Sequence, residues 1–356
     1  MTAVHQLTPS FAPRDAIGNH ILQVQCVLRE LGHRSEIYVA DAWREVAHLT
    51  TPFREMPSAT EPTWLLYHAS TGSPIADFVR ERPEPLLVDY HNITPASMYA
   101  PWEPHVGVEL QAARRQLAEL APHTELAFAD SSYNEAELIA LKYPRTAVVP
   151  ILFDRSSFEQ AVDTKLVTRL RSASPGAAWL FVSRIAPNKG HHDLMKAFSV
   201  YRRVYDGQAT LRIVGGSASH AYLTALEHLR SALQLDEAIV FTGNVSDEQK
   251  AAYFEAADVY VSTSDHEGFG VTLLEAMHHG VPVVAYGSTA VPETMGDGGL
   301  CLDSKEPSRV AAAVHRVLTD APLRDAVIAK GHDRVAAFDL SITQAKLREV
   351  ITSVVS

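Results

Sequence analysis

Along this chain, short apolar runs give way repeatedly to stretches in which apolar residues recur every three or four positions. The first spacing belongs to buried strands and the second to amphipathic helices. In the first half the pattern predicts strands at Val4–Thr8, Glu36–Ala40, Trp64–His68, Leu86–Tyr90, Leu126–Ala129 and Ala147–Val149. Predicted helices at Asn19–Leu31, Val108–Leu120 and Asn134–Leu141 lie between them. The second half restarts the rhythm, with strands at Trp179–Ser183, Leu211–Val214, Ile239–Thr242, Val259–Ser262 and Pro282–Ala285. Its predicted helices are Asp193–Val204, Tyr222–Leu233, Glu248–Glu255, Val271–His278 and Arg309–Leu318.

Strands that read as near-continuous apolar runs, each followed by a helix, imply parallel sheets covered on both faces. Two such series in 356 residues predict an α/β protein of two Rossmann-like, doubly wound domains facing a central cleft. The break Ser-Ala-Ser-Pro-Gly at Ser172–Gly176 places the domains at 1–172 and 173–340. A last helical segment, 341–356, is expected to cross back to the first domain. Ligands of open parallel sheets bind beyond the carboxyl ends of the strands, so the cleft is the expected site.

Composition narrows the chemistry. Apolar residues make up 46% and charged residues 21%, as in an ordinary globular protein. A formal net charge of -11 disfavours a general nucleic-acid binder, which needs a basic face. Cys26 and Cys301 fit neither a disulfide framework nor a zinc cluster and are expected to be small buried residues. The N-terminus lacks a signal-peptide layout, and no apolar run approaches the roughly 18–20 residues that span a bilayer. A cytoplasmic protein is expected, with weak peripheral contact at the inner face of a membrane left open.

The densest chemistry lies in Ser262–Gly280. A strand ends there, and a turn with Gly268 and Gly270 around Phe269 opens the helix starting at Val271. Glycines let the backbone approach a ligand, and a helix N-terminus favours an anion such as a pyrophosphate. Glu267 and Glu275 bracket that start, and carboxylates accept hydrogen bonds from sugar hydroxyls. The plain alternative is that acids near a helix start complement its dipole, worth about 0.3–1 kcal/mol. Arg184 and Lys189, in Arg184–Gly190, leave the strand Trp179–Ser183 where a diphosphate would lie. Two cations there can neutralise a leaving nucleoside diphosphate, although solvated surface cations are the common case. In Phe241–Lys250, Ser246 and Gln249 form a plausible capping box, and the loop ending at Val245 can offer backbone groups to a nucleobase.

In this order and spacing the stretches resemble the retaining GT-B glycosyltransferases related to glycogen and sucrose synthases (glycosyltransferase family 4, group 1). The family's paired glutamates have seven residues between them, as Glu267 and Glu275 do. Its EGFG, LEAM and G-x-PVVA elements match Glu267–Gly270, Leu274–Met277 and Gly280–Ala285. The likeness is dense from about Leu180 to Leu302. It implies a hexosyltransferase with a donor-binding C-terminal domain and an acceptor-binding N-terminal domain. It also implies a UDP- or GDP-linked sugar donor as co-substrate, no cofactor and no metal. Under it Arg184 and Lys189 bind the diphosphate, Glu275 the ribose, and Glu267 with the Gly268–Val271 backbone the donor sugar and phosphate.

On the acceptor side, Gly18, His20, Gly32 and His33 fit the family's glycine loop and first helix, though Ser10–Gly18 holds one glycine where many members have more. His91, after the strand Leu86–Tyr90, matches a histidine that many members place beside the donor sugar. The expected catalytic set is therefore His91, Glu267, Arg184 and Lys189, with Asn92 and Thr94 as acceptor candidates. His68 and Asp130 can equally satisfy local backbone groups, and Arg114 and Arg115 read as a solvated helix face. The acceptor can be a sugar, a lipid-linked glycan or a small molecule. The chain has no Asp-x-Asp pair to hold a divalent metal on the diphosphate. A GT-B phosphorylase or epimerase, or a non-catalytic sugar-nucleotide-binding protein, remains as an alternative. An oxidoreductase lacks its G-x-G-x-x-G after a strand, and a P-loop kinase lacks its glycine-lysine loop.

Overall fold

A computed structural model describes residues 2–12, 15–159 and 161–355. The chain divides into two compact units, one of residues 1–100, 104–154 and 338–356, the other of 101–103 and 155–337. Pro13 and Arg14, in the loop before Gly18, lie outside the described residues.

The first unit is built on seven parallel strands: β1 (Ala3–Phe11), β2 (Ile37–Ala42), β3 (Thr51–Pro52), β4 (Thr63–Ala69), β5 (Leu86–Tyr90), β6 (Thr124–Ala129) and β7 (Thr146–Val148). Their spatial order is β3-β2-β1-β4-β5-β6-β7, so the winding reverses between β1 and β4. The central strands are buried on both faces, which explains why they read as continuous apolar runs. The helix Ala16–Glu30 turns Val24, Val27 and Leu28 into the core, where Leu347, Ile351 and Val355 of the C-terminal segment meet them.

The second unit has six parallel strands: β8 (Ala178–Val182), β9 (Thr210–Val214), β10 (Ile239–Phe241), β11 (Val259–Ser262), β12 (Val283–Tyr286) and β13 (Gly299–Leu302). Their order, β10-β9-β8-β11-β12-β13, reverses between β8 and β11. The helix Thr164–Ser172, which a boundary at 172 assigns to the first domain, packs Leu166 and Leu170 on Ala252 and Ala256 of the second. Ser246 and Gln249 do form a capping box on the helix Asp247–Glu255.

Two expectations fail on the cysteines: Cys26 and Cys301 are both exposed. Cys26 points off the solvent side of its helix, and Cys301 lies on the edge strand β13, which pairs only with β12. Among the described residues, no helix is long and apolar enough to cross a membrane.

Candidate active site

In the second unit, the two strands that flank the reversal carry the two motifs. β8 runs into Arg184–Gly190, and β11 into the turn that starts the helix Val271–His278. That point is where doubly wound sheets open a crevice for ligands. Gly190 has φ 63, and a Cβ there would lie 2.2 Å from the Thr263 carbonyl oxygen, so only glycine lets the β8 loop lie this close to the end of β11. Asn188 fastens the same contact, accepting from the Asp265 amide at 2.8 Å and donating to the His266 carbonyl at 3.2 Å.

This closeness brings Lys189 Nζ to 2.7 Å from Glu267 Oε2. Arg184 is exposed and makes no ion pair among the described residues. Gly270, at φ 97, begins the helix Val271–His278, whose N-terminus has no side-chain cap. An uncapped helix start, with Lys189 held at Glu267 just before it, is a place for an anion. Several bonds hold the turn: Thr289 Oγ1 lies 2.8 Å from both the Glu267 amide and its carbonyl, and Thr294 Oγ1 donates to the Phe269 carbonyl at 2.5 Å. Tyr260 donates its hydroxyl to Thr272 Oγ1 at 2.9 Å and also contacts the Val182 carbonyl at 3.2 Å, tying the helix to β8.

Glu275 is buried on the same helix, and its Oε1 meets Lys250 Nζ at 2.7 Å. Burial raises its carboxyl above the ordinary range, and Lys250 only partly opposes this. Lys250 ends the stretch Phe241–Lys250, and nothing in its sequence context marks it for this role. The same holds for Lys305, whose Nζ lies 2.6 Å from both Asp193 and Asp265 and so anchors the residue two before Glu267. Neither lysine has a motif; each is recognisable only by what folding sets opposite it. Val245 is half-buried in its loop.

In the first unit, polar residues gather at the carboxyl ends of β4, β5 and β6. Asp89 Oδ2 lies 2.8 Å from His20 Nε2, 3.2 Å from His68 Nδ1 and 3.4 Å from His91 Nε2. His91 Nδ1 faces Asp130 at 3.1 Å, and His68 Nε2 faces Gln6 Oε1 at 2.9 Å. The Leu152 amide donates to His20 Nδ1 at 2.9 Å, so the proton of that ring sits on Nε2, towards Asp89. These side chains are buried. Burial alone would depress His91, but Asp89 and Asp130 outweigh it and hold its pKa at about 9. His68 is held down at about 4, chiefly by burial. Burial opposes the charge on Asp89, yet His91 and His20 keep that carboxyl far below its usual range.

The His91 imidazole is therefore closed in, with both nitrogens engaged inside its own unit. What it offers outward is the loop that follows it. Asn92 sits at φ 72, a left-handed value uncommon for a non-glycine residue, and Thr94 is half-buried two residues on. The Ile93 amide donates to Tyr90 Oη at 3.1 Å, and Tyr90 donates to Glu137 at 2.7 Å. Arg114 bonds the Ile93 carbonyl and Glu137, so it fixes this loop instead of lying on a solvated face. Gly18 is buried, and its amide already donates to Asp15 Oδ2 at 3.2 Å, the carboxylate that caps the helix Ala16–Glu30.

The comparisons with known proteins agree with this geometry. The model of the family described as glycosyl transferases group 1 matches residues 168–334. The chain is 32% identical over 235 residues to the GDP-mannose-dependent alpha-(1-6)-phosphatidylinositol monomannoside mannosyltransferase of Mycobacterium tuberculosis, 62% of this chain and 59% of that protein. It is 29% identical over 189 residues to the D-inositol 3-phosphate glycosyltransferase of Acidothermus cellulolyticus, 51% of this chain and 42% of that protein. The matched stretches thus span less than two thirds of these relatives. Anabaena HepE in complex with UDP-glucose superposes with a TM-score of 0.77 at 18% identity, over 99% of this chain and 100% of that one. Sucrose-phosphate synthase from Thermosynechococcus elongatus does so at 0.76 and 17% identity, over 99% and 98%. At such identities the superpositions establish the fold, the two-domain GT-B architecture. The paired glutamates, the glycine turn and the β8 loop all lie inside the segment that matches the model of the glycosyl transferases group 1 family.

Proposed function

We propose that this chain is a glycosyltransferase that moves a hexosyl group from a UDP- or GDP-linked donor to an acceptor hydroxyl, with retention at the anomeric carbon. The observation that carries this reading is the Lys189–Glu267 pair, 2.7 Å apart at the sheet reversal and beside an uncapped helix N-terminus. A cation and a carboxylate side by side suit a ligand that is anionic at one end and hydroxylated at the other, as a sugar diphosphate is. Lys189, Arg184 and the amides at Gly268–Val271 would take the diphosphate. Glu267 would take hydroxyls of the donor sugar, Glu275 the ribose, and the Val245 loop the base.

In the reaction, the acceptor oxygen attacks the anomeric carbon on the face from which the diphosphate leaves. The carbon–oxygen bond to phosphate breaks, and the acceptor proton passes to the departing phosphate oxygen. Arg184 and Lys189 stabilise the charge that grows there, so no metal ion is required on the diphosphate. The loop Asn92–Thr94 would meet the acceptor, while His91 holds that loop from beneath. Mannosyl relatives named for phosphatidylinositol monomannoside support a lipid-linked acceptor, which would bring the chain to the inner face of a membrane.

Incubation with GDP-mannose or UDP-glucose and a panel of glycolipid and sugar acceptors, in EDTA, tests the proposal. Released nucleoside diphosphate and an α-linked product by NMR are expected from an α-linked donor. An inverted product would refute retention, and no nucleotide release with any pair would refute transfer.

A further inference from the structure

We infer that Lys250 is a positioning residue of the donor site: its ammonium keeps the buried Glu275 carboxylate ionised and fixed, ready to accept hydrogen bonds from the ribose diol of a nucleoside diphosphate. The inference rests on the nucleotide reading of the second unit, and it gives a role to a lysine outside the motifs of that reading.

Glu275 is a costly residue where it stands. It is 3% exposed and lies between Leu274 and Ala276, both fully buried on the same helix. A buried carboxylate destabilises unless it is paired, and a buried ion pair seldom stabilises a fold better than apolar side chains of the same size. Stability alone therefore gives little reason for this pair. Lys250 Nζ lies 2.7 Å from Glu275 Oε1 and is the only cation paired with the carboxylate among the described residues. No described residue donates a hydrogen bond to Oε2. An ionised carboxylate has about four acceptor positions, so one ammonium leaves room for two hydroxyls.

The other groups that face Glu275 do not help it to ionise. Asp247, on the lysine's own helix, pushes the carboxyl towards its neutral form, as burial does. Burial holds the Tyr260 phenol, from β11, in its neutral form. Lys250 alone opposes them. The lysine is itself well placed to act. It lies in the first turn of the helix Asp247–Glu255, which Ser246 and Gln249 cap, and its amide donates to the Ser246 carbonyl at 2.8 Å. The loop ending at Val245 leads into this helix, so Lys250 joins the loop proposed for the base to the carboxylate proposed for the ribose.

The test is calorimetric titration of the whole chain with UDP and GDP from mildly acid to alkaline pH, with each variant shown to be folded by circular dichroism. Comparing variant with wild type at each pH cancels the titration of the nucleotide itself. In Lys250→Met the pH below which affinity falls should rise by about 1–3 units. The variant then binds at least about 10-fold more weakly on the acid side and recovers on the alkaline side. Lys250→Arg should restore the wild-type profile. In a Glu275→Gln background, Lys250→Met should lose nothing further, because no carboxylate remains to be held. A loss equal at every pH, or one that persists beside Glu275→Gln, would overturn the inference and make Lys250 a direct contact of the nucleotide. Carbon-13 NMR of the Glu275 carboxyl in the ligand-free chain separates the inference from the reading it rests on. Its titration midpoint should rise by about 1–3 pH units in Lys250→Met, and an unmoved midpoint overturns the inference whatever binds. A moved midpoint in a chain whose wild type binds neither UDP nor GDP would support the pairing and refute the nucleotide reading.

Discussion

Glu275→Gln should leave the second unit at least as stable as wild type at neutral pH and still weaken nucleotide binding. The Glu275 carboxyl is buried, and its pKa is raised from 4.5 because burial outweighs Lys250. A raised folded pKa means that stability present below the unfolded value is lost as pH rises through the folded one. A neutral amide avoids that loss, so the melting temperatures of variant and wild type should diverge as pH climbs above 4.5, the variant gaining. If Glu275 holds a ribose, losing a charged hydrogen bond worth about 1.5–3 kcal/mol should raise the Kd by about 10–150-fold. Thermal melts across pH together with calorimetric titration check both halves. A variant less stable at high pH, or one that binds nucleotide normally, would refute the corresponding half. At this scale the paired glutamates were legible because they lie on one continuous segment. The His20–Asp89 and His91–Asp130 contacts were not, since they join residues 69 and 39 positions apart. The signal available was four polar residues, His68, Asp89, His91 and Asp130, each at or just past the end of an otherwise apolar strand.

The element on which the donor side depends is the short passage from β8 into its helix. Gly190→Ala would place a Cβ 2.2 Å from a backbone oxygen at a left-handed φ of 63. Left-handed strain alone costs about 1–3 kcal/mol, and the clash adds to it. The substitution should lower the second unit's unfolding midpoint in urea by at least that much and shift Lys189 away from Glu267. An unchanged midpoint would mean the two loops are not in contact as described. Most strands and helices were readable because buried parallel strands are apolar throughout and helices amphipathic. Some elements escaped. β3 has two residues, too few for any period, and β13 opens on Gly299. The helix Ala321–Ala336 carries Gly331, which weakens a helical reading but lies against Met277 of the helix Val271–His278, where any Cβ would come within 3.2 Å.

For the whole molecule, the chain's last helix belongs to its first unit. Leu347, Ile351 and Val355 share one core with Val24, Val27 and Leu28. Leu347→Ala should therefore destabilise the first unit by about 2–5 kcal/mol, read from urea unfolding, while nucleotide binding to the second unit persists. Equal stability would place that helix elsewhere. Two doubly wound units were legible from the doubled strand–helix rhythm. The placement of 155–172 was not, because a Ser-Pro-Gly break marks a turn after a helix and carries no information on which sheet that helix covers.

The central claim is that the second unit binds a nucleoside diphosphate through Lys189. Calorimetric titration of wild type and Lys189→Ala with UDP, GDP, ADP and dTDP, all in EDTA, tests it most directly. UDP or GDP should bind wild type without metal, and the variant, still folded, should bind it about 10–150-fold more weakly. Binding of none of the four, or equal affinity in both proteins, would contradict it.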